Sequence, residues 1–574
     1  MKTRRQGFLK GAAILMGAVA IVKLLGAFFK IPLSWILTPV GMSYFGSAYS
    51  LYFPIYSLSA AGFPVAISHL VSECCAKGRF RDVRIIHQIS VKLFLCVGLF
   101  GFALMLLLAP PYAQLSSAGQ ARSLLPAIWA LAPSIFFCSM ISVYRGFYEG
   151  LRDMVPTAVS QILEALCRLI FGLAFSIKTV QIAAQEYAAS KTVWGVSQPT
   201  EEYARLAALP MAAAGAIFGV TIGSVVSFFY LWCHYRKTGD GITEQQIAAS
   251  PKASEPKLLL KNLWHMALPV ALGSLAVNLS TLADAAWLNA GLRILMGKNA
   301  ASLLTQYAGE LPAEVIRLGE VPSYLYGCFT NATTLFLLIP TLTQALGISA
   351  LPNVTAAWAA DSKKQIANSL KLVFSVAALL AIPAGLGMSF LAKPICTFLY
   401  GPQNAPGITG KILFYLGFAA IFSALGTSVN SLLQAVGRAD IPVKILGAGL
   451  LVKVIMNWVL VPMPQWNVLG AALSTLLSYF VILVLGLHFL HKVTGVQMQI
   501  SSLLWKPILG GICCVAVALT TEKILSRYFH ISVAVLAAIL AAVVVYLLIC
   551  VILHAFPHEV AKKRRFRKKK KDCT

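Results

Sequence analysis

Apolar runs of membrane-crossing length recur along the whole chain, separated by short polar connections. Val91–Pro111, Val373–Leu391 and Ile531–Leu553 are continuously apolar, and each suffices to cross a hydrocarbon core of roughly 30 Å as a helix. Strands of a membrane barrel would alternate in polarity over segments of about ten residues, so a barrel is excluded. The pattern predicts an all-α integral membrane protein of about 14 transmembrane helices. They fall near 11–35, 44–72, 89–111, 123–148, 157–178, 208–232, 263–289, 322–347, 366–391, 411–434, 443–461, 467–490, 504–522 and 530–553. The first run follows the charged start of a signal peptide, Met1 to Arg5. It continues too far and has no convincing cleavage site, so it reads as the first span.

Composition agrees with this. Of 574 residues 58% are hydrophobic and 12% charged, too few polar groups to cover a water-facing surface. The net charge of +27 is not a nucleic-acid signature, because nine Lys/Arg fall between Lys562 and Lys571, after the last span. Such a tail reads as a retention signal that keeps the C-terminus cytoplasmic and touches anionic lipid head groups. Alternate connections hold 29 Lys/Arg on the side of that tail and 11 on the other, which predicts cytoplasmic termini. The twelve cysteines are scattered, with no CxxC and no zinc-like spacing, and read as small buried hydrophobes. No ATP-binding loop, HExxH or paired-aspartate motif is present, so no catalytic residue, cofactor site or metal site is expected; an enzyme reading survives only in the form of dispersed residues, which membrane enzymes can use.

Two stretches nearly half a chain apart read alike. Arg152 to Pro156 opens span 5 as Arg438 to Pro442 opens span 11. Ala66-Ile-Ser68 closes span 2 as Gly347-Ile-Ser349 closes span 8, and Ser90-Val-Lys92 and Ser369-Leu-Lys371 begin spans 3 and 9. The matches keep order and topology, which predicts two six-helix lobes in pseudo-two-fold repeat plus two C-terminal helices. The expected divisions are an N-lobe at 1–235, a cytoplasmic linker at 236–262, a C-lobe at 263–490, spans 13 and 14 at 491–556 and a polybasic tail at 557–574. Internal repeats of this kind are common in transporters, with the site between halves near mid-membrane.

Charges inside the spans are the candidate chemistry. Arg168 and Lys453 lie 12 and 11 residues beyond Pro156 and Pro442. At 1.5 Å per residue that is roughly 17 Å deep, where an unpaired charge costs at least ~2.5 kcal/mol. Glu164, four residues before Arg168, can neutralise it; Lys453 has no acidic residue within a turn. Lys23 and Lys30 stand seven apart on one face of span 1, Lys23 deep and Lys30 nearer the outer interface. Arg145 reads as a local pair with Glu149, and Asp284 as an embedded acid toward the outer end of span 7. Lys92 and Lys371 sit near cytoplasmic ends and snorkel. A cavity lined by Lys23, Lys30, Arg168 and Lys453 would be net positive and suit a phosphate or pyrophosphate better than a cationic drug. Tyr44, Tyr49, Tyr52 and Tyr56 on span 2 read as packing or interface residues, and Pro54 and Pro64 as bends.

The motifs then become specific. Span 1 reads Lys23-Leu-Leu-Gly-Ala-Phe-Phe-Lys-Ile-Pro-Leu33, followed by Pro54-Ile-Tyr-Ser57, Gly62-Phe-Pro-Val-Ala-Ile-Ser68, Tyr144-Arg-Gly-Phe-Tyr-Glu-Gly150 and Pro156-Thr-Ala-Val-Ser-Gln161. The second half has Leu432-Leu-Gln-Ala-Val-Gly-Arg438, Ile441-Pro-Val-Lys444 and Leu450-Leu-Val-Lys-Val-Ile-Met-Asn457. From about residue 8 to 490 the chain resembles the stage V sporulation protein B and polysaccharide-biosynthesis branch of the multidrug/oligosaccharidyl-lipid/polysaccharide exporter superfamily. The resemblance implies a flippase for undecaprenyl-pyrophosphate-linked sugars, with lipid II the favoured cargo, in a bacterial cytoplasmic membrane. It also implies alternating access between lobes and a groove at the last two spans for the lipid tail. In related lipid II flippases basic residues line the cavity; Lys23 fits that pattern, whereas span 2 here offers no Arg. Two other functions compete: a drug or small-cation exporter, which needs a deep free carboxylate, and a membrane scaffold that recruits cell-wall synthesis enzymes.

Overall fold

The structure, a computed structural model, describes residues 8–58, 62–116, 121–344, 354–355, 358, 363–438, 440–497 and 499–555. The Lys562–Lys571 run and the Gly347-Ile-Ser349 repeat partner lie outside the described residues. The chain forms two compact units, residues 1–298 with 311–327, and residues 299–310 with 328–574.

The first unit opens with α1 (Phe8–Tyr56), whose backbone leaves helical geometry at Thr38 (φ 53°). Phe29 and Phe45 lie on either side of that break with ring centroids 6.1 Å apart. Sixteen residues of straight helix would separate them by about 24 Å, so the chain folds back at Thr38 and α1 holds two crossings. Among the described residues 13 helices are long and apolar enough to span a membrane, α1 counted once. Its second crossing restores the expected fourteen. The predicted span 44–72 is interrupted, because α1 ends at Tyr56 and α2 (Phe63–Ala76) begins beyond Gly62. A Cβ on Gly62 would stand 2.4 Å from the Ala267 carbonyl oxygen, so only glycine admits this approach.

Then follow α3 (Phe80–Ser116), α4 (Ala121–Gly150) and α5 (Val155–Ser190). The hairpin β1 (Thr192–Val193) and β2 (Val196–Ser197) pairs antiparallel and leads to α6 (Glu201–Thr238), started by the Thr200 cap. The unit continues through α7 (Glu244–Ala248), α8 (Pro256–Gln306) up to Lys298, α9 (Ala313–Arg317) and the start of α10 (Val321–Phe336). It thus runs past the expected lobe boundary at 235. Leu259, Leu263 and Ala267 of α8 are buried in one core with Phe63, Ile67, Phe94 and Phe147, which ties α8 to α2, α3 and α4. The linker is clasped as well: Asp82 accepts from the Ser254 amide and hydroxyl, each at 2.8 Å, and pairs with Arg79 at 3.1 Å.

The second unit holds the rest of α10, α11 (Lys363–Phe390), α12 (Ala392–Tyr400), α13 (Pro406–Ala435), α14 (Asp440–Leu460), α15 (Asn467–Thr494), α16 (Ile500–Leu525) and α17 (Ile531–Ile552). Phe374, Ile382, Leu425, Val429, Ile445 and Leu483 form its core. α11 and α13 cross at Gly385 and Gly417, where a Cβ on Gly417 would stand 2.2 Å from Ser389 Oγ. Small residues that let backbones touch are the usual means of helix association where lipid removes the hydrophobic drive. The final pair is fixed by Tyr546, which donates to the Leu379 carbonyl at 2.7 Å.

Candidate functional site

The glycines of α5 and α6 position the charges of the first unit. A Cβ on Gly219 would stand 2.2 Å from the Gly172 nitrogen, and one on Gly223 would stand 2.7 Å from the Glu164 carbonyl oxygen. The two helices therefore cross in backbone contact, and Ser227, one turn beyond Gly223, comes up beside Glu164 and Ser160. Gly172 also receives a ring of the first crossing: a Cβ there would stand 2.7 Å from Phe29 Cε2. Phe29 seats the first half of α1 one turn from Arg168, which carries its neighbour Lys30, and Lys23 seven residues earlier, to the same side.

Glu164 is the hub. Its Oε2 accepts from Arg145 Nη2 at 2.9 Å and its Oε1 from Arg168 Nη2 at 3.3 Å. Arg145 further donates from Nε to Ser160 Oγ at 2.9 Å and from Nη2 to Ser227 Oγ at 3.3 Å. Arg145 therefore does not take the expected partner Glu149 on its own helix. α5 returns antiparallel after the short turn at 151–154, and brings a carboxylate and a hydroxyl within reach of one guanidinium. The predicted pairing of Glu164 with Arg168 is present, but it is the longer of the two contacts. Arg168 is also the more exposed arginine, at 31% against 18% for Arg145, and its Nε is buried without a hydrogen-bond partner among the described residues.

Lys23 is exposed and Lys30 half-buried, and both lie within electrostatic reach of Arg168. Arg145 and Arg168 share one carboxylate, and Lys23 and Lys30 lie within reach of Arg168, so positive groups concentrate in this part of the first unit. Like charges so crowded repel in a low dielectric, and an anion between them relieves that repulsion. Beside them stands an aromatic ladder on the second half of α1, which sequence reasoning assigned to packing. Tyr52 and Tyr56 stack at 5.5 Å, Tyr49 and Tyr52 meet edge to face at 5.9 Å, and Tyr49 and Tyr56 feel both Glu164 and Arg168. Their spacing marked a helix face but not which neighbour that face meets.

Two further predicted residues lie on α8 and α14. Asp284 is buried on α8. Lys453 belongs to the second unit, on α14, and is only 5% exposed. One turn later Asn457 accepts from Ser474, and Ser478 donates to the Gly449 carbonyl at 2.7 Å, so Lys453 lies along a polar seam between α14 and α15. A further acid escaped the sequence reading. Glu320 precedes α10 in what reads as a polar connection, yet it is 4% exposed and accepts from Tyr44 Oη at 2.8 Å.

Comparison with known proteins bears on what this arrangement serves. A family profile described as "Polysaccharide biosynthesis protein" matches residues 8–191, and one described as "MatE" matches residues 325–459. The lipid II flippase MurJ of Bacillus subtilis (strain 168) is 24% identical over 506 residues, covering 86% of this chain and 84% of that one. Stage V sporulation protein B of the same organism is 24% identical over 500 residues, covering 87% and 86%. A solved structure of lipid II flippase MurJ in an inward closed conformation aligns over 94% of this chain and 99% of its own, at 16% identity and a TM-score of 0.61, and so shares the fold. Two family profiles in chain order, relatives spanning most of the chain and the shared fold identify a membrane transporter, not an enzyme, that is similar to members of the multidrug/oligosaccharidyl-lipid/polysaccharide exporter superfamily.

Proposed function

We propose that this chain is a flippase that moves undecaprenyl-pyrophosphate-linked sugar, a lipid II-like cell-wall or polysaccharide precursor, from the inner to the outer leaflet of a bacterial cytoplasmic membrane. The observation that carries the reading is the gathering of Lys23, Lys30, Arg145 and Arg168 in one part of the first unit, the two arginines sharing Glu164. Charge-assisted hydrogen bonds from guanidinium and ammonium groups are the strongest a protein offers to phosphate oxygens, and Arg168 retains unused donor capacity. Lys453, on the second unit, is a further candidate contact for the cargo, and alternating access moves the head group. With about two negative charges, the pyrophosphate gains roughly 4–5 kcal/mol per 100 mV on moving outward across an inside-negative membrane, so nucleotide hydrolysis is unnecessary. The small-cation alternative fits poorly, because Glu164 already accepts from two arginines. The basic tail serves placement at anionic lipid, not cargo.

The test is reconstitution into liposomes under an imposed potential, with fluorescent lipid II compared against other prenyl-pyrophosphate glycans. Lys23→Ala and Lys453→Ala should flip slowly while still folding, Lys453→Arg should retain more activity than Lys453→Ala, and Lys453→Glu should be worst. Wild-type rates in both Lys23→Ala and Lys453→Ala would end the cationic-site reading and favour a scaffold or drug exporter.

A further inference from the structure

Glu320 lies away from the cationic cluster and has a surrounding that suits a neutral acid. It is 4% exposed, and its backbone carbonyl accepts from the Tyr324 amide at 2.9 Å, which starts α10. Oε1 accepts from Tyr44 Oη on α1 at 2.8 Å, whereas Oε2 is buried with no hydrogen-bond partner among the described residues. An ionised carboxylate needs donors on both oxygens once water is removed, and the cost of leaving one bare in a dry site is several kcal/mol. Tyr44 is the ionisable group from α1; α4 brings Ser123, with Arg122 beside it exposed; α9 carries half-buried Glu314 and exposed Arg317; α10 brings Ser323 and Tyr324. No ion pair joins Glu320 to any described basic residue.

We propose that Glu320 is a proton-binding site, and that the bound proton holds residues 311–327 against α1. The segment is attached to α1 at two further points, Ser50 with Tyr326 at 3.2 Å and the Gly327 backbone against Pro39, where a Cβ would stand 1.7 Å from the Pro39 carbonyl oxygen. Each is indifferent to pH, and Glu320 alone in this attachment carries a proton in the accessible range. Burial raises its pKa above the ordinary carboxyl value, with Tyr44 and nearby Ser323 opposing. Docking is therefore complete below the unburied value of about 4.3 and is lost as pH rises through the raised value. In a transporter, such a site makes one helix start responsive to the proton concentration on its own side of the membrane.

Amide hydrogen exchange of residues 311–327 in the full-length protein in lipid nanodiscs, corrected for the intrinsic pH dependence of exchange, tests this between pH 4.5 and 8. Release of one proton on opening gives a protection factor that falls up to about tenfold per pH unit before levelling. Glu320→Gln, neutral at every pH, should hold protection level across the range. Tyr44→Phe removes a donor that favours the ionised form, so its fall should persist and extend to higher pH. A wild-type profile that is flat, or a Glu320→Gln profile that falls as the wild type does, overturns the proposal. Should Glu320→Gln fail to accumulate, an unshifted Tyr44→Phe profile overturns it equally.

Discussion

Arg145 and Arg168 share one carboxylate but differ in everything else, and separate roles follow. Arg145→Ala removes a 2.9 Å ion pair and hydrogen bonds to Ser160 and Ser227, at a site where Arg145 and Glu164 are 18% and 17% exposed. Removing one partner of a buried pair costs about 3–5 kcal/mol, and because Glu164 retains Arg168 the lower end, about 3 kcal/mol, applies. Arg168→Ala removes a single 3.3 Å contact at 31% exposure and leaves Glu164 satisfied by Arg145. A half-exposed pair of that kind is worth about 1 kcal/mol. Glu164→Gln should be the most destabilising of the three, since it leaves two guanidiniums facing each other without their shared anion. Transport should reverse the order of the arginines. Arg168 lies beside Lys23 and Lys30 and has spare donors, so its loss removes a charge-assisted contact to cargo of about 1.5–3 kcal/mol, or 10- to 100-fold in affinity. Equilibrium unfolding in mixed micelles gives the first ordering, and flipping of a fluorescent prenyl-pyrophosphate glycan per folded molecule gives the second. If Arg168→Ala proves as destabilising as Arg145→Ala, or if Arg145→Ala abolishes flipping while folding normally, this division of roles is wrong.

Three other outcomes follow from particular contacts. Asp82→Ala should loosen the linker, because both charge-assisted contacts to Ser254 disappear, and trypsin should then cut after exposed Lys252 about tenfold faster in folded protein. Gly219→Ala should destabilise by about 1–3 kcal/mol, since its Cβ would stand 2.2 Å from the Gly172 nitrogen and must spread α5 from α6; a neutral result in the unfolding assay would mean that the crossing is looser than described. In a cysteine-free background, single cysteines at exposed Ser197 and Asn299 should react with an impermeant thiol reagent from outside, and one at exposed Ala253 should not; labelling confined to Ala253 would invert the topology.

How much of this was legible beforehand depends on the range of the interaction concerned. Span number and placement are local, since a run of apolar residues has few alternatives in lipid, and the fourteen crossings follow from it once the fold at Thr38 is recognised. The break at Thr38 had only weak signals, Pro32 and Pro39, and proline is tolerated within membrane helices. The Glu164–Arg168 pair was visible because it lies within one turn. Arg145 was assigned to Glu149 by the same rule. The rule failed because Ser160, Glu164 and Ser227 on two neighbouring helices together offer more than a single carboxylate on its own helix can.

Glu320 shows the same limit from the opposite direction. A glutamate after Gly319 and before an apolar run has the appearance of a solvated helix start, and nothing nearby in the chain indicates that Tyr44, 276 residues away, covers it. Polarity along the chain reports whether a segment prefers water, but burial of a single side chain is decided by what packs on it. Arg145 and Glu320 each owe their state to a partner on another helix. Those partners are positioned in turn by close backbone approaches at Gly172, Gly219, Gly223 and Gly327. The chemistry was therefore written in the charged residues, while its assignment was written in the glycines, whose sequence signal is weakest in membrane helices, where glycine is common.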